Sequence, residues 1–248
     1  MNEEVKPEGT ERFEIIPLVS KYSTPRVLPP KGVHPRILMT PTSLPHIKEN
    51  LLHPEHKTAY ETFLRSVEAV LEINGTFSFE PKMLGVIHAK AAAYLLLDNA
   101  ERGREAVDII LRVLRDFYIS PRGDICRAYG AIMYAAACVY DWTYPLMSER
   151  ERAEIVYLCQ RNLAPYFEVG FPPEKQGMVT GHGSESQLLR DWLSLGIATY
   201  DEYPDIYLFV MGRIQDQAIA ARNFYYRSYS HWQGSAYGTV RYIRDLFF

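Results

Sequence analysis

The sequence is poor in cysteine, carries no net basic charge and has no long apolar run. It contains 3 cysteines in 248 residues, and 27 Lys and Arg stand against 30 Asp and Glu, for a formal net charge of -3. That balance argues against a general nucleic-acid binder, although locally clustered Arg and Lys could still bind a polyanionic substrate. No apolar run reaches the roughly 18 residues that a membrane-spanning helix needs, so we expect no membrane span.

Several motifs that identify enzymes by sequence are also absent. There is no Gly-rich phosphate loop, no Cys-x-x-Cys, no His-Glu-x-x-His and no Gly-x-Ser-x-Gly. The usual signs of nucleotide binding, zinc-dependent hydrolysis and serine hydrolysis are therefore missing. Cys126, Cys138 and Cys159 share no metal-ligand spacing and stand in apolar helical surroundings, so we predict three buried thiols and no metal site in this chain.

The amino-terminal segment differs from the rest of the chain. Its first ten residues are polar and acidic, without the basic and then apolar stretches of a secretion signal. This indicates either a cytosolic protein or a chain whose signal has been replaced. Residues 1–33 contain five prolines and little periodicity. We predict an extended amino-terminal arm on the surface of the domain, with a short strand at Phe13–Ile16.

From Thr42 onward, apolar residues recur at the helical spacing of about 3.6 residues. The segments predicted to be helical are 43–52, 55–73, 81–98, 100–118, 124–142, 148–169, 184–199 and 204–227. The sixth of these opens on Ser148 and Glu151, a capping box in which each side chain binds the other's backbone amide. The fifth is apolar almost all round, which is typical of a helix in an inner layer.

This succession of helices with short loops indicates an all-α domain of helical hairpins in two layers. It fits an α/α toroid or an α-solenoid, and the lack of a repeat of fixed period disfavours the solenoid. The sequence stops at Asp245–Phe248 within an apolar helical pattern. We therefore expect residues 34–248 to form an incomplete, truncated α/α toroid. Its apolar end after Ile243 could pair with a second copy to give a homodimer.

The segment Gly181–Gln187 places polar side chains between two apolar helices, and it has two interpretations. The structural one makes Ser184 and Gln187 a capping box. Glu185 then favours the helix dipole, and His182 is only a loop residue between turning glycines. The functional one makes His182 and Glu185 parts of one site. The helix dipole then keeps His182 neutral and able to accept a proton, and the glycines let a ligand approach the backbone.

A second polar and aromatic segment lies near the end of the chain. Its candidate substrate-binding residues are His231, Trp232, Gln233 and Arg241. Trp232 could stack on a sugar ring. Tyr237 lies four residues before Arg241, so on a helix the cation would favour the phenolate and lower the pKa of the tyrosine toward the working range. The alternative is that Tyr237, like most of the 18 tyrosines, is a core or rim residue.

Three segments together resemble heparinase II/III-like polysaccharide lyases, most closely the heparinase II type. His34–Pro41 resembles the opening signature of that family just before its first helix, and Gly181–Glu185 is similar to the segment that carries a His and a Glu three residues apart. Gly234–Gly238 resembles the segment that carries the catalytic Tyr. The resemblance covers roughly residues 34–248. It implies an incomplete α/α toroid and catalytic roles for His182, Glu185 and Tyr237.

The resemblance also implies an activity. Such lyases cleave glycosaminoglycans of the heparin and heparan sulfate type by β-elimination at a uronic acid, and a secreted or periplasmic location follows. Tyr237 or His182 would remove the C5 proton, Tyr237 would protonate the leaving O4, and a protonated Glu185 would bind the substrate carboxylate. Family members continue into β-sandwich domains that supply a further His and a structural zinc. We therefore expect no cofactor in this chain, and the fragment alone could be inactive.

Other activities stay open on the residues alone. One is a lyase for another acidic polysaccharide such as alginate. A second is a glycoside hydrolase, for which Glu185 and Asp191 offer carboxylates at a spacing that is not diagnostic. A third is a carbohydrate-binding helical domain without catalysis. A lyase leaves an unsaturated product that absorbs in the ultraviolet, whereas a hydrolase or a binding domain does not.

Overall fold

The computed structural model describes residues 13–73, 77–119, 125–179 and 181–227. These residues are mostly helical, which confirms the predicted all-α class. The helices are α1 (Leu44–Asn50), α2 (Lys57–Glu68), α3 (Lys82–Leu96), α4 (Ala100–Asp116), α5 (Ile125–Trp142), α6 (Glu149–Leu158), α7 (Ser184–Ser186), α8 (Leu193–Ala198), α9 (Pro204–Arg213) and α10 (Ile219–Tyr226). Two short strands, β1 (Phe77–Ser78) and β2 (Phe117–Tyr118), pair in parallel. No helix in the described ranges is long and apolar enough to cross a bilayer.

Each segment predicted to be helical contains at least one of these helices. Three of the segments also contain a π-helical turn, at Cys159–Leu163, Gln187–Trp192 and Ile214–Ala218. Apolar periodicity does not distinguish these wider turns from an ordinary helix, so the sequence does not predict them. The capping box of α6 is confirmed. Ser148 Oγ accepts from the amide of Glu151, and the carboxylate of Glu151 accepts from the amide of Ser148.

Helix α5 lies at the centre of the core. It is buried along most of its length and packs against α3, α4, α6 and α8, as expected of an inner-layer helix. Cys126, Cys138 and Cys159 are buried thiols that form no disulfide, as predicted. Burial raises the pKa of both Cys138 and Cys159, so these two thiols are inert packing groups rather than nucleophiles.

In the described part of the arm, residues 13–33, the chain forms neither helix nor strand, so the strand predicted at Phe13–Ile16 is not formed. A side chain, not a neighbouring strand, satisfies the backbone there. Gln160 Oε1 accepts from the amide of Ile16 at 2.8 Å, and Gln160 Nε2 donates to the carbonyl of Ile16 at 2.9 Å. The prediction was wrong because a strand needs a backbone edge to pair with, and this helical surface offers side chains instead.

The same kind of contact continues along the arm. Side chains of α9 and of the π-helical turn after it accept hydrogen bonds from arm amides at 2.5 to 3.0 Å. The donor and acceptor pairs are Leu18 with Asp205, Ser23 with Asp216 and Arg26 with Gln215. In the opposite sense, the Tyr207 hydroxyl donates to the carbonyl of Val27 at 2.7 Å. The arm is therefore held by specific polar contacts as well as by burial of Leu18.

The arm ends in a buried polar cluster formed by His34, Arg36, Asp141 and Asp201, here called the arm anchor. Nδ1 of His34 lies 2.7 Å from Oδ1 of Asp141, and its Nε2 lies 3.1 Å from Oδ2 of Asp201. The Arg36 guanidinium donates to the same Asp201 oxygen at 2.7 Å. The amides of Arg36 and Ile37 both donate to Oδ2 of Asp141. These contacts give the segment beginning at His34 a structural role, because they tie it to the end of α5.

Candidate functional site

The candidate residues fall into two groups. His182 and Glu185 lie within the described residues. Tyr237 and the substrate-binding candidates lie outside them, so their predicted convergence with His182 stays a prediction. The substrate-binding candidates in this second group are His231, Trp232, Gln233 and Arg241.

His182 lies in the loop before α7, as predicted, and its side chain is half exposed at 49%. Its Nδ1 lies 3.0 Å from Oε1 and 3.2 Å from Oε2 of Glu168. Because a carboxylate accepts hydrogen bonds, Nδ1 carries the proton that faces Glu168. Proton exchange with another group then takes place at Nε2. A carboxylate that orients an imidazole in this way also stabilises the imidazolium formed when Nε2 accepts a proton.

Glu168 is the residue of this site that the sequence does not predict. Besides His182, it accepts from Gln176 Nε2 at 2.8 Å and from Cys126 Sγ at 3.3 Å. Burial acts to raise the pKa of the Glu168 carboxyl, but these three hydrogen bonds together hold that pKa below its ordinary value. Glu168 is therefore an anion at neutral pH. No sequence signal marks it, because it stands 14 residues before His182 and outside any motif.

The loop around His182 is fixed by Gln176 and Ser184. Gln176 Oε1 accepts from the amide of Gly183 at 3.1 Å while its Nε2 binds Glu168. Ser184 Oγ donates to the carbonyls of Gly177, Met178 and Gly181. Gln176 thus links the Glu168 carboxylate to the loop backbone, and Ser184 binds three carbonyl groups of the same loop.

The capping box predicted for Ser184 and Gln187 is wrong. Ser184 is the first residue of α7, Gly183 is the N-cap, and no side chain caps the helix. The hydroxyl of Ser184 is used by the loop carbonyls instead. Gln187 Oε1 accepts from the amide of Val169 at 3.0 Å, so it ties the helix to the segment that carries Glu168 rather than to its own amino terminus.

The two glycines beside His182 have a packing role that differs from the predicted one. A Cβ added at Gly183 would lie 2.7 Å from Oε2 of Glu168, and a Cβ at Gly181 would lie 2.6 Å from Oε1 of Gln176. Both contacts are shorter than side chains tolerate. The glycines therefore let Glu168 and Gln176 pack against the loop, and access for a ligand at the same positions stays a prediction.

Glu185 and Asp191 differ from His182 in their exposure. Glu185 is 4% exposed in the first turn of α7, and Asp191 is 1% exposed. Oδ1 of Asp191 accepts from Arg190 Nε at 2.5 Å, which ties this carboxylate to a cation in the protein interior. Burial of both groups gives no support to the hydrolytic carboxylate pair that the sequence left open, because such carboxylates flank a bond of a bound substrate.

Comparison of the sequence with protein-family models and with curated proteins finds no match. Within the described ranges, no group of three or more His, Cys, Asp or Glu side chains could hold a metal ion. The pairing of His182 with Glu168 offers proton transfer by an oriented histidine.

Proposed function

We propose that the chain is part of a polysaccharide lyase that cleaves a uronate-containing glycosaminoglycan of the heparin or heparan sulfate type by β-elimination. The observation that carries the proposal is the pairing of half-exposed His182 with the Glu168 anion. It supplies a base whose orientation and tautomer are fixed before substrate binds, which is what removal of a weakly acidic proton requires. The ordered resemblance of three sequence segments to heparinase II/III-like lyases supplies the substrate class.

In the proposed reaction, Nε2 of His182 takes the C5 proton of the uronate, and Glu168 stabilises the imidazolium that results. The electrons of the C5–H bond form the C4–C5 double bond, and the C4–O bond breaks. The leaving O4 takes a proton from Tyr237. Charge that develops on the substrate carboxyl group needs a hydrogen-bond donor. The resemblance gives that role to a protonated Glu185, whose side chain is 4% exposed and would have to become accessible when substrate binds.

The proposal includes the finer features of the fold and location. Helices α3, α4, α5, α8 and α9 would belong to an incomplete α/α toroid, in which the starts of inner helices line one rim. The central position of α5 and the packing of consecutive helices against each other support that arrangement. A secreted or periplasmic location, an acidic polysaccharide as partner and a homodimer are further parts of the proposal.

The test is an ultraviolet absorbance assay for unsaturated uronate, performed on the full-length encoded protein with heparan sulfate and with alginate. His182→Ala should lower turnover by about 10²-fold or more, because a positioned base contributes that much. Glu168→Gln should also lower turnover, since the imidazole then loses the anion that orients it. His46→Ala is the matched control, because His46 is an 80% exposed histidine on α1, and it should leave turnover unchanged.

Tyr237→Phe completes the test. It should lower turnover by about 10²-fold or more while leaving binding largely intact. Wild-type turnover in this variant would remove Tyr237 from the mechanism.

Three outcomes would contradict the proposed activity in different ways. Cleavage without an unsaturated product would identify a hydrolase. Binding without cleavage would identify a carbohydrate-binding domain. Cleavage of alginate alone would keep the elimination but change the substrate to the alternative acidic polysaccharide.

A further inference from the structure

The stacked pair Tyr129 and Tyr166, together with Tyr118, which follows Phe117 in β2, is here called the tyrosine platform. The rings of Tyr129 and Tyr166 are stacked, with centroids 4.4 Å apart and planes inclined by 8°. Phe117 supports Tyr129 from the side, edge to face, at 5.5 Å. The inner ring is thus held between two aromatic neighbours, and the outer ring lies flat upon it.

The outer rings of the platform are open to solvent. Tyr118 and Tyr166 are each 53% exposed, whereas Tyr129 beneath is 7% exposed. Burial and then the neighbouring hydroxyl groups of Tyr166 and Tyr118 raise the pKa of Tyr129. A tyrosine hydroxyl group can both donate and accept hydrogen bonds.

The backbone of the platform is fixed. Tyr118 is in β2 and pairs in register with Ser78, and its carbonyl accepts from the amide of Phe79 at 2.8 Å. Tyr166 ends a single 3-10 turn at Ala164–Tyr166. The Tyr166 ring is also restrained by its stacking on Tyr129, so it loses less conformational entropy on binding than a loose exposed side chain would.

The platform is next to the His182–Glu168 pair. Tyr166 precedes Glu168 by two residues, so their Cα atoms are at most about 7 Å apart. Tyr129 follows Cys126 by three residues on α5, one turn along the helix, and Cys126 Sγ donates to Glu168. Two independent stretches of the chain thus bring an exposed aromatic surface to the carboxylate that orients the candidate base.

We infer that the tyrosine platform is a sugar-binding subsite that takes the apolar C–H face of a pyranose ring adjacent to the residue held at His182. The face of a sugar ring carries C–H groups that pack on an aromatic ring, while its edge carries hydroxyl groups that bond to phenols. Exposed, stacked tyrosines offer both kinds of contact. The identity of the sugar chain rests on the proposed function, but recognition of the ring face does not depend on elimination taking place.

The experiment measures the Kd of a size-defined heparan sulfate oligosaccharide by calorimetry on the full-length protein, with a size-matched oligo-alginate as second probe. Tyr166→Ala should raise the Kd about tenfold, as expected for loss of one aromatic stacking partner. Tyr166→Phe keeps the ring and should stay within about twofold of wild type. Tyr118→Ala should also weaken binding. Tyr60→Ala removes a tyrosine of α2, outside the platform, and should leave the Kd unchanged.

A salt series separates stacking from charge. Because stacking on an apolar face is not screened by ions, the ratio of the Tyr166→Ala Kd to the wild-type Kd should be the same at low and high salt. A ratio that falls toward one as salt rises would overturn the inference. It would show that the surface acts only through charge.

The other outcomes are equally decisive. Wild-type affinity in folded Tyr166→Ala and Tyr118→Ala, or no binding of either probe by the wild-type protein, overturns the platform. If wild type binds a probe, makes no unsaturated product and loses affinity in Tyr166→Ala, the proposed elimination fails and the platform stands. If turnover at saturating substrate is unchanged in Tyr166→Ala while KM rises, both stand.

Discussion

The two histidine–carboxylate clusters of this protein use the same chemical groups in opposite ways. His34 in the arm anchor has a carboxylate on each ring nitrogen, is 6% exposed and stacks on Tyr144 with ring centroids 4.0 Å apart. His182 has a carboxylate, Glu168, beside its Nδ1, and its side chain is 49% exposed. The first imidazole is a cross-link between segments. The second is oriented at one nitrogen and accessible to solvent.

The comparison teaches that the surroundings of a histidine decide its role more than the presence of a carboxylate beside it. In the arm anchor both nitrogens are committed, so no proton can be exchanged with a ligand without breaking the cluster. At His182, the pairing with Glu168 fixes the ring and directs proton exchange to Nε2. Variants in the two clusters should therefore affect different properties. Variants in the arm anchor should mainly lower stability, and variants of the His182–Glu168 pair should mainly change turnover or the pH dependence of stability.

Asp141→Ala should have the largest effect on stability. It removes the acceptor for His34 and for two backbone amides in a site where Asp141 is fully buried. The free energy of unfolding in urea should fall by about 3–5 kcal/mol, as when one partner of a buried ion pair is removed. Asp108→Ala, at a 64% exposed surface pair with Arg104, should cost at most about 0.5 kcal/mol. Similar losses in the two variants would erase the distinction.

His34→Ala should act on the arm. Leaving two buried carboxylates without their shared donor costs about 2 kcal/mol, which raises the population of the detached arm about 30-fold. Trypsin cleavage at Arg26 and Lys31 should accelerate accordingly, because cleavage tracks the open population. His46→Ala serves as control. An unchanged cleavage rate in His34→Ala would mean that the other arm contacts suffice.

Glu168→Gln should lower the free energy of unfolding by less than the arm-anchor variants do, and the size of this loss should depend on pH. The folded pKa of Glu168 is lowered from an ordinary 4.5. Its contribution is therefore present above that value and is lost as pH falls through the lower folded pKa. The difference in unfolding free energy between wild type and Glu168→Gln should shrink on acidification over that window. A difference that grows there would show that the sign of the shift is wrong.

His182→Ala should have the smallest effect on stability. Its hydrogen bond to Glu168 is half exposed, and a polar contact of this kind contributes only about 1 kcal/mol. Chemical denaturation and thermal melting should place this variant near wild type, even though turnover collapses under the proposed function. A loss as large as that of His34→Ala would make His182 a structural residue.

The helices could be predicted because each carries its own evidence in the sequence. The apolar pattern of 124–142 and the Ser148–Glu151 capping box are local, and both appear in the structure. The π-helical turns could not be predicted, because they keep the same apolar face. The strand at Phe13–Ile16 was wrong because the side chain that binds that segment, Gln160, lies 144 residues away.

The candidate site was predictable only in part. The loop position of His182 follows from glycines next to a helix start. The role of Glu168 depends on how residues 167–183 fold back on themselves, and nothing local encodes that path. Ser184 could not be predicted for the same reason. Its hydroxyl binds carbonyl groups of the folded loop, which a capping rule based on local sequence does not consider.

The way the arm is fastened has a consequence for the order in which the molecule assembles. During synthesis the arm leaves the ribosome before the helices that bind it, and the side chains that bind Leu18, Ser23 and Arg26 belong to residues made 187 to 193 positions later. The early helices can form from contacts near in sequence, whereas these three arm contacts cannot form until α9 and the turn after it exist. Docking of this part of the arm is therefore a late folding step. The arm stabilises helices that have already formed and does not direct their formation.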